Sequence, residues 1–200
     1  MSNVKKESLD QRRVRVLDAL GSYQKSSLTM VSGEEIGTLV AKESDRGIVV
    51  ILGSMLEDIL LTRVKKSFVK LSSTQEKDLV RSGGLISTFD DRINLCRALG
   101  LIDDEVVEML RIFKSMRNAC AHSRKDISFT TPQLKEALAL MFEGETGDDI
   151  RNRQDVFGLR SYFIISFVYT VQRIMGSDRA EAHQHAQAIA TSFRTAAQAV

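Results

Sequence analysis

Apolar residues recur along this chain at three- and four-residue intervals, and no segment alternates convincingly, so the pattern predicts helices throughout. The clearest is Ile102 to His122. At about 100° per residue, Val106, Met109, Leu110, Phe113, Met116, Cys120 and Ala121 form one broad stripe, and Arg117 falls near its centre. Asp103, Asp104, Glu105 and Glu108 open the segment while Arg111, Lys114 and Arg117 close it, an order that complements the helix macrodipole. Asn118 and His122 share a different face with Arg111 and Ser115.

Other elements follow from start and stop signals. A first helix is expected from Val4 to about Ser22, with Leu9, Val16, Leu17 and Leu20 as a weak apolar set. Ser32-Gly33-Glu34-Glu35 and Ser73-Thr74-Gln75-Glu76 each fit a capping box, in which a serine oxygen and a carboxylate satisfy each other's orphan amides. From Ile48 to Val64 apolar residues occupy almost every face, the mark of a central helix surrounded by others. Whether Ser44 begins that helix or the chain runs through from residue 35 is left open by the pattern. Leu85 to Leu99 predicts a helix capped by Gly100, and the short link Leu101-Ile102 makes it a packed neighbour of the next. Thr131-Pro132 reads as N-cap and first helical position of a helix through about Phe142. Gly144 to Asp149 reads as an internal linker, followed by helices over about Asp155 to Met175 and Ser177 to Ala197.

The expected fold is therefore all-α: a single bundle of about seven or eight helices with additional C-terminal helices. Residues 1–142 would form the helical core, and residues 148–200 an extension packed on it. The 200-residue length suffices for one core. The formal charge of +2 is too small to imply a nucleic-acid partner by itself. Ser161 to Gln172 is uncharged but too short to cross a bilayer, which takes about 18 to 20 residues, and no membrane association is expected. The first residues carry no apolar leader signal. Cys96 and Cys120 lie on apolar faces without metal-ligand spacing, which suits a reducing compartment and makes the cytoplasm the expected location.

Charge placed on apolar faces marks the candidate chemistry. An arginine does not discharge by losing its proton, so Arg117 must meet a carboxylate, a ligand or a partner chain. Glu57 shares an angular strip with Val50, Leu61, Val64 and Phe68, and Arg46 falls on that strip too; Glu57 is thus the expected counter-ion of Arg117 or Arg46, with Asp58 as the competing carboxylate. In the first fifteen residues Lys5, Lys6, Arg12, Arg13 and Arg15 stand against Glu7 and Asp10, a patch able to touch phosphate, though with mixed charges and no interleaved aromatic a solvated helix face is the favoured account. His183 and His185 point about 200° apart on a helix, so no metal site is expected, and no cofactor is implied. Gly83-Gly84 reads as a turn, because no nucleotide-binding pattern surrounds it.

Glu43-Ser44-Asp45-Arg46-Gly47, then Gly83-Gly84-Leu85 through Phe89-Asp90-Asp91-Arg92-Ile93-Asn94-Leu95 to Ala98-Leu99-Gly100-Leu101-Ile102, then Arg117-Asn118 with Ala121-His122 and Ile127-Ser128-Phe129, resembles the mannitol operon repressor family. The resemblance covers roughly residues 35–142 and rests on order and spacing. It implies an all-helical bacterial transcription regulator that lacks a recognisable DNA-binding module. This chain agrees, since it shows no helix-turn-helix with a basic recognition helix, no basic zipper and no zinc finger. A regulatory protein partner, or the basic first helix, would then supply any DNA contact.

The segment from Arg117 to His122 is also similar to the motif of HEPN domains, an arginine, a polar residue and a histidine at the end of a bundle helix. That likeness implies metal-independent RNA cleavage, with His122 as acid and base, Arg117 as phosphate clamp and Asn118 as positioning residue. Five positions separate Arg117 and His122, about 140° on an ideal helix, so joint action needs an early helix end or a second chain; a two-fold homodimer would supply the latter. The competing account is structural: Arg117 locks the bundle while Asn118 and His122 cap the helix end.

Overall fold

A computed structural model describes residues 42–142 and 144–198, together with 11, 14–16 and 36–37; side chains are described to 189 and at 191. The chain divides into two compact units, Met1–Val31 and Ser32–Val200. Of the first unit, residues 11 and 14–16 are helical, and Val16, expected to face a core, is exposed along with Arg15. Lys5, Lys6, Arg12 and Arg13, and the capping box at 32–35, lie outside the described residues.

The second unit is all-α, with no strand among the described residues. Its helices are α1 (Asp45–Ser67), α2 (Ser73–Val80), α3 (Phe89–Ala98), α4 (Asp104–His122), α5 (Pro132–Ala139), α6 (Gly144–Asn152), α7 (Val156–Met175) and α8 (Arg179–Gln198). Helix α1 packs against α4, α3 and α7; α5 and α6 pack on each other; α8 folds back along α7. Gly176, in the left-handed conformation at φ 105°, closes α7 before that reversal.

Ser44 does begin α1: its hydroxyl accepts from the Gly47 amide at 3.1 Å. The helix is less enclosed than its composition predicts. Ile48, Val49, Leu52, Leu56, Leu60 and Val64 are fully buried, whereas Val50, Ile51, Met55, Ile59 and Leu61 are half-buried. Three neighbours cover one broad face of it, not its whole circumference. The stripe on α4 is buried as expected at Val106, Met109, Leu110, Phe113, Met116 and Cys120. Phe163 of α7 ties this face to the loop beyond α4, with its ring centroid 5.2 Å from Phe113 and 5.1 Å from Phe129.

Four sequence expectations are corrected. The capping box of α2 uses Ser72 and Gln75, one residue earlier than read, because Ser72 has the extended backbone an N-cap needs. Residues 85–88 form a turn, not the first turn of a helix. Thr88 and Asp91 cap α3 reciprocally, leaving Leu85 at 64% exposure and Ile86 buried. The supposed linker at 144–149 is helix α6, whose Gly147 and Ile150 are buried. At α5, Thr131 is the N-cap residue but its hydroxyl accepts from the Ser128 amide instead of capping, and the helix ends at Ala139.

Candidate functional site

The Arg117 side chain is 19% exposed and crosses from α4 to α1 to pair with Glu57. Glu57 pairs with a second arginine as well: Arg92 of α3 reaches its Oε1 at 3.2 Å and its backbone carbonyl at 3.2 Å, and donates to the Ile86 carbonyl at 3.1 Å. Arg92 is 10% exposed, and two guanidinium groups therefore converge on one half-buried carboxylate. Arg117 also lies over the Phe89 ring at 5.2 Å, and its Nε and Nη2 donate to Asn118 Oδ1 at 3.4 and 3.3 Å. The cluster joins α1, α3 and α4.

Gly53 explains how the arginine fits. A Cβ there would stand 3.0 Å from Arg117 Cβ, 3.2 Å from Cγ and 3.3 Å from Cδ. The missing side chain lets α1 approach the aliphatic stem of Arg117 while the head turns toward Glu57.

Of the two expected partners for Glu57, the structure selects Arg117. Arg46 instead donates through Nη2 to the carbonyls of Ala121 and Ser123, at 3.3 and 3.0 Å, at the C-terminal end of α4. These are among the last carbonyls of the helix, which have no intrahelical donor, so a cation suits them. Asp58 is exposed and makes none of these ion pairs. Partial burial raises its pKa, while Arg92 lowers it and Glu57 raises it further.

His122 is the last residue of α4 and is exposed. The helix continues regularly through it, so the condition under which Arg117 and His122 of one chain meet at one phosphate, an early helix end, is not met. Asn118 stays with Arg117. The sequence-predicted trio thus separates into an Arg117–Asn118 pair in the interhelical cluster and a solvent-facing His122.

Further ion pairs join the elements. Asp45, 6% exposed, accepts from the Phe129 amide at 2.9 Å and from Arg160 Nε at 2.5 Å, fastening the start of α1 to α7 and to the loop after α4. Arg173 of α7 pairs with Asp103, with Glu105 at 3.3 Å and with the Tyr169 hydroxyl at 3.1 Å, and Arg179 of α8 reaches Glu105 at 2.9 Å. Sequence reasoning missed these groups. For Arg92 the signal was present, since it lies between Phe89 and Cys96 on the apolar face of α3, as Arg117 does on α4. For Asp45 there was none: an aspartate in a first turn reads as an ordinary dipole partner.

His183 hydrogen-bonds Gln187 at 2.7 Å and His185 is exposed. Among the described residues no group of three or more His, Cys, Asp or Glu side chains could hold a metal ion, and no helix is long and apolar enough to cross a membrane. Cys96 and Cys120 are buried free thiols; burial pushes Cys96 up to about 11 despite Arg63, and raises Cys120 despite Arg46. No protein-family model, no curated protein and no solved structure matches the chain.

Proposed function

We propose that the chain is a regulatory, protein-interaction module of the mannitol operon repressor type, acting as a homodimer and lacking a DNA-reading helix of its own. One observation carries this reading. Arg117, the residue that a phosphate-cleaving site would need free, is committed to Glu57, Phe89 and Asn118 inside the bundle. A guanidinium engaged with a half-buried carboxylate ties α4 to α1, and withdrawing it to meet substrate would break that link and leave Glu57 to Arg92 alone.

Exposed apolar side chains support an interaction role. Leu140, Val156 and Phe157, from the end of α5 and the start of α7, are exposed. Large apolar groups on a surface favour contact with another protein.

The competing reading, a HEPN-type ribonuclease, requires His122 of one chain to act with an arginine other than its own Arg117. Incubating the purified chain with labelled RNA in EDTA separates the two. The module reading expects no cleavage by wild type, no change with His122→Ala, and a dimer mass by light scattering. Metal-independent cleavage lost in His122→Ala would overturn it.

A further inference from the structure

We infer that two copies of this chain associate side by side and antiparallel. The basic, apolar lobe after α1 in one copy is seated on the acidic, apolar corner of α5, α6 and α7 in the other, at both ends of the pair. The inference rests on the homodimer of the proposed function and gives that dimer its interface.

The first observation is the lobe. Helix α2 buries none of its side chains. It is nevertheless firmly placed, since the Ile86 amide returns to the Leu79 carbonyl at 3.0 Å and Lys65 of α1 reaches Glu76 at 3.2 Å. From residue 63 to 81 six cations stand against Glu76 and Asp78, and Lys65 and Arg81 engage those two acids. Lys66, Lys70 and Lys77 are exposed and have no partner among the described residues. Val69 and Leu85 project from the same lobe at 83% and 64% exposure. An ordered element that buries no side chain in its own core, and presents charge together with hydrocarbon, is suited to meet another protein surface.

The second observation is a surface of the opposite sign. Residues 136 to 155 hold six acids against Arg151 and Arg153. Even with Lys135 at the edge, which donates to the Arg153 carbonyl at 3.2 Å, acids outnumber cations two to one. Each arginine is shared by two carboxylates, Arg151 by Glu136 and Asp148, Arg153 by Asp149 and Asp155. Exposed Glu145 has no partner among the described residues. Leu140, Val156 and Phe157 stand exposed on this corner. Lobe and corner thus complement each other in charge, which sets register, and both carry apolar groups to bury.

The third observation is where the two surfaces lie. Asp45, the first residue of α1, pairs with Arg160 near the start of α7. Near the other end of α1, Arg63 Nη2 is 3.9 Å from where a Cβ on Gly176 would stand, just past the end of α7. The two helices therefore run in the same direction, with the acidic corner at their start and the lobe at their end. The 23 residues of α1 set these about 34 Å apart at 1.5 Å per residue. One chain's lobe does not reach its own corner. Two chains laid antiparallel bring lobe to corner at both ends at once, which closes the pair on a two-fold axis. Head-to-tail stacking would leave one surface open at each end and grow without limit. Reciprocal contact also doubles the area each copy buries, toward the about 800 Å² per partner of a standard interface.

The test is light scattering and sedimentation of the full chain over a range of concentrations and salt. Lys66→Glu/Lys70→Glu/Lys77→Glu sets negative against negative, and Glu145→Lys/Asp148→Lys sets positive against positive. Each variant alone is expected to raise the dimer Kd on the order of 100-fold, because like charges are then juxtaposed. Mixed in equal amounts, the two should pair with near wild-type affinity, since the reversed lobe meets the reversed corner at one end and the native contact is kept at the other. The wild-type dimer should weaken as salt rises. Arg124→Glu/Lys125→Glu, at exposed cations outside both surfaces, should leave the dimer unchanged. Every altered side chain is exposed, and thermal melts check the fold; where the triple variant melts early, Val69→Glu should weaken the dimer by itself. Full dimerisation of both variants, equal loss in the control, or no recovery on mixing would overturn this interface and leave the homodimer standing. A wild type that is monomeric throughout, including one whose lobe captures polyglutamate or anionic vesicles, would overturn both. Mass that keeps rising past the dimer would overturn the antiparallel closure in favour of head-to-tail growth.

Discussion

Glu57 carries more than its share of the interhelical charge, and substitutions there separate electrostatics from shape. Glu57→Gln keeps the volume but leaves Arg92 and Arg117 facing each other without their shared anion. A loss on the order of 3 kcal/mol is expected, the scale for removing one partner of a buried pair, read from urea denaturation. Gly53→Ala makes a complementary test. Alanine is better than glycine in a helix by about 1 kcal/mol. The new methyl group meets Arg117 Cβ at 3.0 Å, an atom fixed close to its own backbone, so overpacking of about 1–3 kcal/mol should prevail. A more stable Gly53→Ala protein would show that α1 and α4 can separate without cost. At this scale the sequence was informative wherever a charge interrupted an apolar stripe: Arg117 and Glu57 each stood out from helical geometry alone. Choosing between Arg117 and Arg46 could not be done that way, because Arg46 shares the strip of Glu57 while Arg117 lies on another helix, and only the packing of α1 on α4 distinguishes them.

Helices were legible as units, and their ends were not. Apolar periodicity located α1, α4 and α7, where burial of one face dominates. Caps depend on a single backbone angle, and adjacent serines at 72 and 73 offer the same chemistry in two registers. Ser72→Ala should therefore cost about 1 kcal/mol and Ser73→Ala close to nothing, measured as shifts in denaturation midpoint; the reverse ranking would restore the expected register. Residues 144–149 misled because Gly, Thr and Asp are poor helix formers, yet Arg151 bridges Glu136 and Asp148 and holds α6 to α5. The start of α4 also predicts a pH response. Burial opposes the charge of Asp103, but the Val106 amide and Arg173 outweigh it and hold its carboxyl below the usual 3.8. A carboxyl lowered on folding contributes its full stability above about pH 4 and loses it as pH falls through the folded value. Asp103→Asn keeps a capping side chain and removes the charge. Its stability should therefore fall less than that of wild type between about pH 5 and pH 2.5. Identical acid profiles would exclude Asp103 as a contributor.

For the second unit as a whole, fold class was readable because helical periodicity recurs from end to end, whereas the order in which helices pair was not, since it depends on contacts far apart in sequence. Phe163 completes the aromatic group that begins with Phe113 and Phe129, so a chain cut after residue 142 would expose those rings. Such a fragment should bind ANS and lack near-UV circular dichroism; a cooperative, dye-free fragment would show that the earlier helices close on their own. The fastening of Asp45 to Arg160 spans 115 positions. On a ribosome, the aspartate emerges on the order of ten seconds before its cation at typical synthesis rates. Through that interval Asp45 has only the Phe129 amide and water to answer its charge, so the start of α1 is fastened to α7 long after α1 itself has been made.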